Sequence, residues 1–175
     1  MRAASGRQRF NVLGAWNAVT RELVCVTNTT VVNTLTMCEL LHKIAALKLT
    51  GPITLVLDNA RYQRNAVVMA CAEQLGITLL FLPSYSPNLN LIERLWKFIK
   101  RRSFYGRYHP SFADFRAAIE ETITQPSTTH AADLASLMTL KFQRFENLLL
   151  MAARSIVPQA TEFCASYFRK TAFYG

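Results

Sequence analysis

Residues 53–82 read ITLVLDNARYQRNAVVMACAEQLGITLLFL and place two short apolar runs around one helical pattern. The first run, residues 53–57, is almost wholly apolar and ends abruptly at Asp58, which is typical of an interior strand covered on both faces. A helix is predicted over residues 65–74, and a second strand over residues 77–82. Strand, helix and strand in this order predict a parallel crossover, and therefore an α/β fold.

The segments on either side extend the same α/β pattern. Two β-rich runs, residues 10–16 and 22–27, flank a short polar turn and predict a hairpin. Residues 34–49 carry apolar residues at three-and-four spacing, which predicts an amphipathic helix. Three further helices are predicted downstream, over about residues 91–102 behind an Asn90 cap, from the capping box Ser111-x-x-Asp114 onward, and over about residues 131–150. The final 25 residues carry no recognisable pattern.

The composition is that of one folded domain with a basic surface. The chain has 175 residues, 51% of them hydrophobic, which is enough to bury a core and excludes a disordered tail. Its formal net charge is +9, and 14 of its 20 basic residues are Arg, which suits a surface that meets a polyanion such as DNA. No apolar stretch approaches the roughly 20 residues of a spanning helix, and the N-terminus does not resemble a secretory signal. We therefore expect a cytoplasmic protein with no membrane segment.

The cysteines give little support to a metal knuckle or a disulfide framework. They stand far apart, without a Cys-x-x-Cys pair or a His at zinc-ligand spacing. Buried free thiols are the expected state of all four, Cys25, Cys38, Cys71 and Cys164.

Two of the eleven carboxylates lie where chemistry is usually placed. Asp58 follows an apolar strand, and Glu93 lies in the first turn of a predicted helix after a proline-rich loop. Each also has a purely structural interpretation. Asp58 can hydrogen-bond its own turn, and Glu93, three residues after Asn90, occupies the capping-box position near the positive end of the helix dipole.

The helix that carries Glu93 has two different faces. At about 100° per residue its apolar side chains fall on one side, and Glu93, Lys97, Lys100 and Arg101 fall on the other, with Arg94 at the border. Glu93 and Lys97 alone could form an ordinary surface ion pair. A carboxylate at the head of a basic stripe is also what a metal-dependent nuclease requires, because the acid holds a cation while Lys and Arg neutralise the flanking phosphates.

Two motifs, LVLDNARY at residues 55–62 and LPSYSPNLNLIERLW at residues 82–96, carry a resemblance to a known family. They are similar to segments of the DDE transposases of bacterial insertion sequences and their mariner relatives. Thirty-four residues separate Asp58 from Glu93, the spacing typical of the family's bacterial branch. The resemblance covers about residues 7–145. It implies a ribonuclease H-like mixed sheet with flanking helices, and divalent-metal-dependent cleavage and joining of DNA at the ends of a mobile element.

The resemblance also implies roles for individual residues. Asp58 resembles the second acid of the family's catalytic triad and Glu93 the third, and the pair is expected to bind Mg²⁺ or Mn²⁺. Gln63 departs from the His that commonly stands there in the family. The basic stripe of the helix itself, and not the resemblance, gives the residues expected to contact DNA phosphates, namely Arg94, Lys97, Lys100, Arg101 and Arg102. The residues expected to support the motifs are Asn59, Tyr62, Pro83, Tyr85, Ser86, Pro87 and Asn88.

The N-terminal part of the family pattern, with its first acid, is not found in this sequence. The family's first acid lies on the first, central strand of the fold, whereas no Asp precedes Asp58 here and the only earlier carboxylates are Glu22 and Glu39. The expected arrangement is a truncated catalytic domain, residues 7–145, that lacks its first central strand and has two unpaired inner edges. An extension of unknown role, residues 146–175, follows it. The missing acid is expected to weaken cation binding, and no end-recognising helix-turn-helix is evident.

Three hypotheses about function follow. The first is a transposase catalytic domain for metal-dependent strand cleavage and strand transfer that is inactive as this fragment. Its expected partners are double-stranded DNA at mobile-element ends and the upstream transposase fragment or another transposase subunit. The second is a non-catalytic basic DNA-binding or subunit-interaction module. The third is a basic α/β domain in which Asp58 and Glu93 are only caps.

Overall fold

The computed structural model describes residues 6–83, 90–103, 105–124, 138 and 161–174, with residues 6, 7 and 161–174 described by their backbone. A 3-10 turn over Arg61–Arg64 joins the third strand to the second helix. The other elements, in chain order, are β1 (Gly6–Asn17), β2 (Leu23–Asn28), α1 (Thr34–Ala46), β3 (Ile53–Leu57), α2 (Ala66–Gln74), β4 (Ile77–Phe81), α3 (Leu91–Ser103), α4 (Phe112–Thr124) and β5 (Thr161–Tyr174).

The predicted hairpin and the predicted crossover are both present. Strands β1 and β2 pair antiparallel, whereas β3 and β4 pair parallel on either side of α2. Asn33 begins α1 with a capping box, since the Asn33 side chain accepts from the Thr36 N–H and the Thr36 hydroxyl accepts from the Asn33 N–H. The helix predicted over residues 131–150 lies outside the described part of the chain, apart from residue 138.

The five strands form one mixed sheet in the order β2-β1-β5-β3-β4. The predicted mixed α/β fold class is therefore confirmed, and the arrangement is compatible with a ribonuclease H-like fold. Strand β5 joins the two halves of the sheet, because it pairs antiparallel with β1 and parallel with β3. In the described part of the chain no helix is both long and apolar enough to cross a lipid bilayer.

The expectation of two unpaired inner edges is wrong. Strand β5 fills the position between β1 and β3 that the missing strand was expected to leave open, pairing with β1 from Gly6↔Tyr174 to Asn17↔Phe163. It also pairs with β3 from Ile53↔Thr161 to Leu57↔Ala165. Inner edges carry rows of backbone donors and acceptors that any available strand can satisfy. The aromatic-rich C-terminal segment has the composition of such a strand.

Each face of the sheet is covered by two helices. Phe10, Val12 and Trp16 of β1 pack with α3 and α4, whereas the alternate residues Leu13 and Ala15 pack with α1 and α2. Strand β3 follows the same alternation, with Val56 in the first cluster and Ile53, Leu55 and Leu57 in the second. The prediction that β3 is an interior strand covered on both faces is therefore confirmed.

Candidate active site

Asp58 is exposed at the carboxyl end of β3, where the chain enters a tight polar turn. Asn59 adopts a left-handed conformation, with φ of 70°, and its side-chain oxygen accepts from Nε of Arg64. The backbone N–H of Ala60 donates to Oε1 of the buried Gln63 at 2.8 Å. Because Asn tolerates positive φ better than most residues, the Asp58-Asn59 pair suits a strand that must turn immediately after its acid.

The carboxyl end of β4 lies beside this turn. The Leu82 N–H donates to the Leu57 carbonyl at 2.9 Å, so the two parallel strands end at the same edge of the sheet. The Arg64 guanidinium covers the Phe81 ring at 4.7 Å from its centroid, and Tyr62 packs beside the core under α1 and α2. These contacts hold the turn after Asp58 against the neighbouring strand. Pro83 follows, exposed, whereas Tyr85, Ser86, Pro87 and Asn88 lie outside the described residues.

Glu93 is half-buried in the first turn of α3, and its backbone N–H donates to the carbonyl of the fully buried Asn90 at 3.1 Å. The predicted two faces of this helix are confirmed. Its apolar side chains are all buried, namely Leu91, Ile92, Leu95, Trp96, Phe98 and Ile99. The basic side chains lie on the other side, with Lys97, Arg101 and Arg102 exposed and Arg94 and Lys100 half-buried.

The two elements that carry Asp58 and Glu93 contribute to the same core cluster. Val56, two residues before Asp58, belongs to the cluster that contains Leu91 and Ile92, the residues just before Glu93. If the alternation of β3 continues past its last residue, Asp58 faces the same side of the sheet as Val56. The sharing of one cation between the two carboxylates stays a prediction.

The two earlier carboxylates are engaged elsewhere. Glu22, in the β1–β2 turn, accepts from the Thr20 hydroxyl at 3.0 Å. Glu39 lies on α1, which packs on the other face of the sheet, and pairs with Lys43 at 3.3 Å. Neither position gives Asp58 and Glu93 a third carboxylate.

Strand β5 also brings no carboxylate to the level of Asp58. In the parallel register Leu57 pairs with Ala165, so the next position along places Ser166 beside Asp58. The only acid of this strand, Glu162, pairs with Thr54 and is four residues, or about 13 Å, from that level. Among the described residues no three His, Cys, Asp or Glu side chains gather as a metal site. Asp58 and Glu93 supply the hard oxygen donors that Mg²⁺ or Mn²⁺ prefers, yet two carboxylates are few for a pair of such ions.

The thiols show one contact that the sequence spacing did not reveal. Cys38 on α1 and Cys71 on α2 share a side-chain hydrogen bond, and Cys71 Sγ lies 3.8 Å from Nε2 of His42. Burial, followed by this contact with Cys71, raises the pKa of the Cys38 thiol. Cys25, Cys38 and Cys71 are free, as expected, although each is half-buried and not fully buried.

The family model described as DDE superfamily endonuclease matches residues 1–116 of the 175. The chain belongs to the DDE superfamily endonucleases. The match contains both Asp58 and Glu93 and ends before β5, so the central strand of this sheet comes from outside the matched region. No curated protein matches the chain. Endonucleases of this superfamily generally depend on divalent metal ions, and their substrate is DNA.

Proposed function

We propose that this chain is the catalytic domain of a transposase of the bacterial insertion-sequence and mariner-like type. Its reaction is metal-dependent cleavage and transfer of DNA strands at the ends of a mobile element, in the cytoplasm. The observation that carries the proposal is the family match together with the position of its two acids, Asp58 at the carboxyl end of β3 and Glu93 at the start of α3.

In this proposal Asp58 and Glu93 hold Mg²⁺ or Mn²⁺ through their carboxylate oxygens. The ion, when bound, favours ionisation of the attacking water or 3′-hydroxyl and stabilises the leaving oxygen. The turn after Asp58 is held by Asn59, Gln63 and Arg64, and it fixes the direction from which the Asp58 carboxylate would contact the ion. The phosphates are neutralised by the basic side chains of α3, namely Arg94, Lys97, Lys100, Arg101 and Arg102.

The chain alone is proposed to be inactive. Two protein carboxylates leave a two-cation site short of ligands, and a misplacement of about 1 Å can already reduce a rate on the order of a hundredfold. A partner that supplies the acid-bearing strand, either the upstream transposase fragment or another subunit, must displace β5, because β5 already pairs with both inner edges. Restoring activity therefore requires strand exchange as well as the missing acid.

A nicking assay on labelled element-end DNA with Mg²⁺ or Mn²⁺ tests this proposal. We expect no cleavage by the 175-residue chain and cleavage by a chain extended upstream with an Asp-bearing strand. Glu93→Gln in the extended chain should abolish cleavage, whereas Glu39→Gln, a matched carboxylate loss on α1, should not. Cleavage by the short chain that Glu93→Gln abolishes would contradict the proposed inactivity, because a group other than Asp58 and Glu93 would then supply the third ligand.

The basic face of α3 also favours a second candidate function. A non-catalytic DNA-binding or subunit-interaction module needs that face and does not need a complete acid set. It predicts that the extended chain binds duplex DNA and cleaves none. The same nicking assay therefore separates the two functions.

A further inference from the structure

A basic groove lies beside the exposed face of α3. It has a volume of about 400 Å³ and is lined by Lys97, Lys100, Arg101 and Tyr105. Three of these four side chains are cationic, and no carboxylate of the described residues lines the groove. The Tyr105 side chain is 74% exposed, an unusually open position for an aromatic ring. The groove therefore combines positive charge with an accessible aromatic surface.

The turn that carries Tyr105 is anchored to both neighbouring helices. Gly106 takes a left-handed conformation, with φ of 72°, so the chain reverses directly after Tyr105. Nε2 of His109 lies 2.8 Å from the Ser103 carbonyl, and the His109 ring meets Phe115 of α4 edge-on at 5.8 Å. These contacts restrict where Tyr105 can lie relative to the basic side chains of α3.

An unpaired nucleotide matches both properties of this groove. Aromatic side chains stack on the flat faces of bases, and flanking cations neutralise the backbone, in proteins that bind single-stranded DNA. Bases inside a duplex hide those faces in their own stack. Lys97 and Arg101 are four residues apart, or about 6 Å along the helix axis, so the two cations can contact different phosphates of one strand.

We propose that this groove binds an unpaired DNA nucleotide, with its base stacked on Tyr105 and its phosphates on Lys97, Lys100 and Arg101. The proposal deepens the proposed function and rests on it, since it adds an affinity for unpaired DNA ends to the contacts that α3 makes with duplex phosphates.

The test compares the affinities of the full chain for three labelled DNAs by fluorescence anisotropy. The first is a blunt duplex, the second is that duplex with a short unpaired thymidine overhang, and the third carries the same overhang without its bases. We expect the base-bearing overhang to bind at least about fivefold more tightly than the abasic overhang. Tyr105→Leu should abolish this difference, and the conservative Tyr105→Phe, which keeps the ring, should preserve it.

Each outcome either supports or contradicts the nucleotide site. Equal affinity for base-bearing and abasic overhangs, or a preference that survives Tyr105→Leu, would overturn the nucleotide site while leaving duplex binding intact. If the chain does not bind the blunt duplex and still binds the base-bearing overhang more tightly than the abasic one, the proposed duplex contacts are contradicted and the nucleotide site is supported. Circular dichroism of the variants excludes misfolding as the cause, because Tyr105 is exposed and its replacement opens no cavity.

Discussion

Gly14 of β1 lies directly beneath the indole of Trp96 on α3. A β-carbon at residue 14 would lie 2.7 Å from Cη2 and 2.8 Å from Cζ2 of that ring, closer than any side chain can approach. The absence of a side chain at Gly14 therefore sets how closely α3 packs on the sheet. Glu93, a candidate metal ligand, lies three residues before Trp96 on the same helix. The contact between Gly14 and Trp96 therefore also sets the distance of Glu93 from β1.

Gly14→Ala should destabilise the fold and move α3 away from the sheet. Overpacking of this kind costs about 1 to 3 kcal/mol, because a rigid buried indole has no room to yield. Urea denaturation measures the loss. Trp96→Phe provides the control, since a smaller ring relieves the clash and the double variant should lose less than the sum of the two single variants. Strict additivity would show that Gly14 and Trp96 do not set the spacing.

Cys25 should be almost unreactive in the folded chain. Although the residue as a whole is half-buried, its Sγ packs against Gly14, and burial of the thiol itself raises the pKa of Cys25 to about 12, partly offset by the nearby Lys43 ammonium. Thiolate is the reactive form, so alkylation at pH 8 should be roughly a thousandfold slower than in the unfolded chain. A variant that keeps only this cysteine isolates its rate. Because the unfolded thiol ionises first, this group's contribution to stability is lost as pH rises above 9.0 towards 12.

Duplex DNA binding should depend steeply on salt and on the exposed side of α3. Lys97→Gln with Arg101→Gln removes two charges that can reach phosphates, so the slope of log affinity against log salt should fall by about two. Titrations at several salt concentrations measure this slope. Arg21→Gln with Lys48→Gln removes the same charge from exposed positions outside α3 and should leave the slope nearly unchanged. Equal effects of the two pairs would show that α3 is only a solvated face.

The local elements could be predicted because their signals are local. The alternation along β3 and the acid at its end are visible within a few residues, and the apolar face of α3 is set by helical spacing alone. The burial of Trp96 and the exposure of Lys97 both follow from that spacing. Family resemblance then identified Asp58 and Glu93 as the acids of interest, although neither position alone distinguishes a ligand from a cap.

The pairings between distant segments could not be predicted in the same way. Strand β5 pairs with β1 across most of the length of the chain, as in Gly6↔Tyr174, and no local pattern specifies such a partner. The contact between Cys38 and Cys71 likewise depends on how α1 meets α2, which the spacing of the two cysteines does not encode. Both features arise from tertiary packing and not from sequence periodicity.

The register of β5 predicts how a third carboxylate could be added to this chain. The register ends at Leu57↔Ala165, and its continuation by one position would place Ser166 beside Asp58. Adjacent strands lie about 4.8 Å apart, within the span over which two carboxylates can share a cation. Ser166→Asp should therefore create a divalent-cation site together with Asp58 and Glu93. We expect Mn²⁺ to raise the melting temperature of this variant far more than that of the unmodified chain, because a ligand that binds only the folded state stabilises it, by about 2.7 kcal/mol at one hundred times its Kd.

Two controls make this expectation specific to the register. Tyr167→Asp adds the same charge one position further along β5, where strand alternation places the residue on the other face of the sheet, and it should gain no response to Mn²⁺. Asp58→Asn in the Ser166→Asp background should abolish the response, since the new carboxylate and Glu93 without Asp58 leave the site one carboxylate short. If Tyr167→Asp responds as strongly as Ser166→Asp, the added charge acts non-specifically. If Ser166→Asp folds normally and shows no response, Asp58 and Ser166 are not neighbours and the alignment of β5 with β3 is wrong at this edge.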